Sequence, residues 1–392
     1  MSAATASRRA RRFVLVGAGF LLAWQVGALV GIPRRTEVVL GLYGFVLHTI
    51  SGKAYSLVPS YFARRLAVPR APTLHLPFTA GGTVGLALAT VDAIPPILGT
   101  LGAAAWAIGV GVFLAALLRS VRDNLSGRET GTGDANAARR PVDRAANAFV
   151  PVALAYLALG SYETLAAHIG LPSPFHGVLP RGSHLLAAGT GAMLVFAIGF
   201  RLLPRFLVAS PPRPLVAVVL PAGAIGPVLL AATLGGGPSF RVAALLEAVA
   251  VIGFGAAYAT TWYRSDRRRV GLYGVLLGAL SGVLAALLGL SFAFGSISAP
   301  LTVAHLRLNL LGFLGLTIVG VAYQFYPPAI GSFPGANDRT ALASILCLGG
   351  GLLVEVLGLA SGTALATTVG ESVALVGAGL YAYLVAGVFH ER

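Results

Sequence analysis

Seven histidines and a few acidic residues carry most of the chemistry available to this chain of 392 residues. His184 lies 20 residues before Pro204, and His305 lies 22 before Pro327. On two helices, a difference of two residues is about 3 Å of rise, which puts the two imidazoles at similar depth. A neutral imidazole in apolar surroundings is a good ligand for heme iron or another metal. The competing reading is an interfacial histidine bonded to a carbonyl or water; the shared depth is what singles out this pair. His168 and His176 fall near the same end, His48 sits within an apolar run, and His75 and His390 fall in or near polar segments.

Glu37, Asp92, Glu163, Glu247, Glu355 and Glu371, with Lys53, lie within or at the edge of apolar runs. Ionisable groups there are costly and face an interior, a cavity or a partner, so they could line a proton or ion path. The alternatives are that Glu37 and Lys53 snorkel to an interface and that Glu247 or Glu355 is protonated and hydrogen-bonded. Cys347 is the single cysteine, which excludes an intramolecular disulfide and any cysteine-based metal cluster. No H-E-x-x-H pattern is present.

The elements that must position these residues follow from composition. Hydrophobic residues make up 56% of the chain and charged ones 10%, against about 25% charged in soluble proteins. Mean hydropathy is +0.83 and there are 51 glycines, which membrane helices tolerate. The chain reads as an all-α, polytopic integral membrane bundle whose partner is the lipid bilayer. The net charge of +15 comes almost wholly from arginines between apolar runs, which points to topology and not to nucleic acid.

Arginine and proline breaks divide the chain into 12 expected spans: 13–31, 38–59, 78–97, 99–118, 147–169, 184–204, 214–235, 242–262, 270–294, 304–326, 340–361 and 365–388. With a cytoplasmic N-terminus, 22 arginines fall inside and only Arg34, Arg35, Arg181, Arg241 and Arg307 outside. That bias places both termini in the cytoplasm, in a multi-pass protein of the cell membrane. Ser7-Arg8-Arg9 before the first run is expected to open a retained helix and not a cleaved signal. Residues 119–146, rich in Arg, Gly, Asn and Asp, read as a flexible cytoplasmic linker within one transmembrane domain.

The second and tenth spans share eight residues at identical spacing across a window of 16. Gly44-Phe45, Thr49-Ile50, Gly52, Ala54-Tyr55 and Pro59 match Gly312-Phe313, Thr317-Ile318, Gly320, Ala322-Tyr323 and Pro327. The sixth span keeps Gly189 and Pro204. Relatives four spans apart imply three pseudo-repeated four-helix units, roughly 1–118, 147–262 and 270–392, around a pseudo-threefold axis.

The run from His305 through Arg307, Asn309 and Gly312 to Tyr323 and Pro327 resembles the tenth helix of heme-copper oxidase subunit I. Gly52 and Pro59 resemble that family's second helix, and NnrS-type heme-containing membrane proteins of the nitric oxide response are a related likeness. The resemblance implies His305 as a heme ligand, but Arg307 stands where the family has a second histidine. The second span lacks a histidine near Val38, and the seventh lacks the copper-binding pair. A complete terminal oxidase and a copper site are therefore not expected. The expected function is binding of at most one heme for electron transfer or for a diatomic gas (NO or O2), with a possible redox partner. In that reading His305 is the axial ligand, His184 a second ligand or distal group, and Arg307 the partner of a heme propionate. The alternative is a cofactor-free transporter, channel or assembly factor that uses the buried carboxylates. For a transporter, the broken-helix candidates are Asp92 to Pro96 and Gly349-Gly350-Gly351.

Overall fold

The computed structural model describes residues 3–91, 93–175 and 179–391, so Asp92 and His176 lie outside the described residues. The described chain is helical, with no strand. In order the helices are α1 (Ala3–Leu29), α2 (34–61), α3 (Ala71–Leu88), α4 (Ile97–Val121), α5 (Arg140–Ile169) and α6 (179–207). They continue with α7 (Arg213–Thr233), α8 (Pro238–Tyr263), α9 (Val270–Phe294), α10 (299–325), α11 (Asp338–Ser361) and α12 (Ala364–His390). Among the described residues ten helices are long and apolar enough to cross a membrane; α2 and α3 are not among them. α2 carries Arg34, Arg35, Glu37 and Lys53, and α3 has only 18 residues, with Pro77 inside.

Local chemistry sets the helix ends. Proline occupies the first turn of α3, α5, α7, α8 and α10, where its missing N–H costs nothing. Gly170 and Gly362 close α5 and α11 in the left-handed conformation, at φ 71° and 70°. α3 begins seven residues before the expected span 78–97 and ends at Leu88. Pro95 and Pro96 lie in the turn that leads into α4 and do not break a helix. Gly349-Gly350-Gly351 is also unbroken helix; a Cβ on Gly351 would sit 2.6 Å from the Ala374 nitrogen, so this glycine lets α11 and α12 touch.

α6 and α10 form the centre. Their apolar windows are 78% and 83% buried, against 28–50% for the other eight candidate spans. α2, α6 and α10 each open into a π-helical stretch, at Val39–Leu47, Leu185–Ala192 and Leu308–Leu316. These stretches end 12, 12 and 11 residues before Pro59, Pro204 and Pro327, and all three pack against one another. So wide a hydrogen-bonded turn is rare and is frequently found at functional sites.

The 119–146 segment, expected as a flexible linker, is a hydrogen-bonded strap across one end of the bundle. Buried Arg201 of α6 donates to the carbonyls of Tyr61 and Thr130 and to the Asn147 side chain. Asn147 donates to Tyr61 and Gly127, Asn124 to Phe62 and Glu129, and Arg205 pairs with Asp143. Arg64 holds Asp123 and Glu129 at 2.9 and 2.7 Å. That pairing keeps both carboxyls below their ordinary ionisation range and raises the guanidinium's.

Candidate functional site

α2, α6, α7, α8, α9 and α10 line a cavity of about 520 Å³ that is open on one side, within the range of small-molecule and cofactor sites. Space exists because the facing positions are small: Ala187, Ala188, Ala192, Ala244, Ala248, Ala286 and Gly289. Both sequence-predicted histidines line it. His184 Nδ1 lies 2.5 Å from the Pro180 carbonyl, and His305 Nδ1 lies 3.0 Å from that of Ala285. A neutral imidazole that donates its Nδ1–H to a carbonyl carries its lone pair on Nε2, the tautomer a metal ligand needs. The Asn309 amide donates to His305 Nε2 at 3.2 Å and so reads the same tautomer. Phe292 meets the His305 ring edge-on at 5.6 Å, and Gly289 leaves room for it: a Cβ there would be 3.2 Å from His305 Cε1.

Glu247 lines the same cavity, and its Oε1 is buried without a hydrogen-bond partner. Arg34 and Arg181 also line it. Arg34 donates to Thr302 Oγ1 at 2.6 Å, tying the start of α2 to that of α10, and Arg181 donates to the Leu234 carbonyl at 3.1 Å. Among the described residues no group of three or more His, Cys, Asp or Glu is disposed to hold a metal ion.

The structure places Arg307 away from this cavity. Its side chain is fully buried and makes two hydrogen bonds to Glu355, at 2.7 and 2.9 Å, and one to Gln25 Oε1 at 2.8 Å. The guanidinium also lies 4.7 Å over the Trp24 ring. Arg307 is thus not among the lining residues of the cavity, where sequence put it beside a heme propionate, and its side chain is shut off from the surface. His75, expected in a polar segment, is buried in α3 against Phe13 and Phe113, 3.2 Å from the Tyr55 hydroxyl. His48 bonds to the Tyr43 carbonyl at 2.7 Å through Nδ1, within the π stretch of α2. Lys53 finds no carboxylate; it donates to the Tyr326 hydroxyl at 2.9 Å and lies 3.6 Å from the Phe325 ring centre. Glu163 accepts from Ser173.

Sequence reasoning missed Asn309, Gln25 and Trp24. Asn309 had a usable signal, since it stands four residues after His305 on the same helix face. Gln25 and Trp24 had none, because their partners lie elsewhere in the chain. No known family model matches the chain, and no curated protein matches it.

Proposed function

We propose that this is a twelve-crossing membrane protein of the cell membrane, with both termini cytoplasmic, that binds one heme in the cavity between His184 and His305. Its work would be electron transfer or the binding of a diatomic gas. The observation that carries this reading is that two histidines from α6 and α10 line one cavity, each with Nδ1 held by a backbone carbonyl. The donor set fits: the Nε2 atoms of His184 and of His305, the latter exchanging its Asn309 contact for the iron, and apolar walls, with Arg34 and Arg181 also on the lining. Arg34 and Arg181 would hold the propionates. Bound heme supplies a one-electron carrier and, where one axial position is open, a site for a gas. The alanine lining would exclude water. The arginine bias supports the orientation, and the three matched π stretches support three related units of four helices around α2, α6 and α10.

The test is an oxidised-minus-reduced optical spectrum of protein purified in mild detergent after expression with ample heme, with a pyridine hemochrome assay for stoichiometry. One heme per chain, lost or spectrally altered in His305→Ala and His184→Ala, is the expected result. Absence of a Soret band overturns it and leaves the second reading, a cofactor-free transporter, channel or assembly factor. The buried Arg307–Glu355 pair beside Glu37 favours that second reading.

A further inference from the structure

We propose that Glu37, Arg307 and Glu355 form a binding site for one exchangeable proton, carried by Glu37. The site is separate from the histidine cavity and does not rest on heme. Its charges do not balance: one guanidinium faces two carboxylates, at 0%, 9% and 1% residue exposure for Arg307, Glu37 and Glu355. Glu355 takes the guanidinium in a two-pronged contact, at 2.7 and 2.9 Å. Glu37 is left with a longer approach, 3.7 Å from its Oε2 to Arg307 Nη1, and one hydrogen bond from Trp24 Nε1 at 3.1 Å. A second buried negative charge without its own cation is expensive, and a proton removes that cost.

Among the surrounding groups one further cation, Arg34, also comes within electrostatic reach of Glu37. From α12, Glu371 comes within electrostatic reach of all three groups and adds another acid. Arg34, on the same helix as Glu37, is engaged by Thr302 and the Ala299 carbonyl. From α1 come only Trp24 and Gln25, neither charged.

Two buried donors distinguish a proton from a metal cation. Arg307 Nη1 and Gln25 Nε2 have no hydrogen-bond partner, and both side chains are 0% exposed. The N–H groups shown beside Glu37, those of Trp24 Nε1 and Arg307 Nη1, repel a cation but can receive the carboxylate when the proton leaves. Glu37 thus has two supported states: a neutral acid, and an anion drawn toward Nη1. Val38, the next residue, lines the histidine cavity, so the proton is held one residue from that wall.

The test is infrared spectroscopy of the full-length protein in lipid nanodiscs, with and without D2O, across a pH series. The expected result is a carboxylic-acid C=O band that shifts down in D2O, disappears in Glu37→Gln and moves in Trp24→Phe. Glu247 has its own buried carboxyl, so any band that survives Glu37→Gln belongs elsewhere. Absence of any such band in the unaltered protein, or a band indifferent to Trp24→Phe and Glu37→Gln, overturns the proposal. Should Glu37→Gln fail to fold, the Trp24→Phe displacement alone decides.

Discussion

Arg307 of α10 grips both carboxylate oxygens of Glu355 of α11, from Nε at 2.7 Å and Nη2 at 2.9 Å, inside the helix bundle. Parallel donors meeting both oxygens make this the strongest geometry available to such a pair. It ties two helices whose contact positions are 48 residues apart.

Removing one partner strands the other charge. Arg307→Ala, which leaves two buried carboxyls and no guanidinium between them, is expected to cost about 3–5 kcal/mol, seen as loss of monodisperse protein on size exclusion and a lower melting temperature in mild detergent. The double variant Arg307→Met with Glu355→Leu should recover much of that loss, because neither charge is then buried. A single variant as stable as the parent would show that the pair is solvated.

Filling the cavity tests its role without touching a histidine. Ala188→Phe projects a ring into the space between α6 and α10. Heme retention is expected to fall at least about tenfold, or 1.4 kcal/mol, with helical circular dichroism unchanged. Undiminished retention would place the heme elsewhere.

The bundle was legible because hydropathy alone requires it, and the His184–His305 pairing because both residues precede a proline by nearly the same distance. Two misplacements share one cause. The tenth span was expected to start at 304, but its helix starts at Ala299, which carries Arg307 a further turn and more into the bundle. The third was expected from 78, but Pro72 in the first turn lets α3 start at Ala71, which brings His75 inside. Apolar runs mark where lipid is met, whereas helices extend beyond them under capping control. The strap was hidden for another reason. Its Gly- and Asn-rich composition reads as flexible, while Arg201, which orders it, sits about 55–80 residues further along the chain. The π stretches leave no mark on hydropathy at all.

Arg201→Ala should release that strap. The substitution leaves the carbonyls of Tyr61 and Thr130 and the Asn147 side chain without this donor and takes one of two nearby cations from Asp143, and a loss of about 3 kcal/mol or more is expected. Limited proteolysis should then cut within residues 122–139 before any helix is lost. Unchanged cleavage kinetics would show that Asn124 and Asn147 suffice to hold the strap.

Acidification should loosen the same strap through a different contact. Arg64 lowers the carboxyls of Asp123 and Glu129 from ordinary values of 3.8 and 4.5. Groups lowered in the folded state contribute stability above their ordinary values, and lose it as pH falls through the lowered ones. Protease sensitivity at 122–139 should therefore stay flat down to about pH 4.5 and rise below about 3.8. The effect should be small, since both carboxylates are largely exposed and screened by solvent. In Arg64→Gln the strap should be more sensitive at neutral pH and should lose most of that acid-dependent rise. A rise of equal size in Arg64→Gln would show that the Arg64 contacts are not its source.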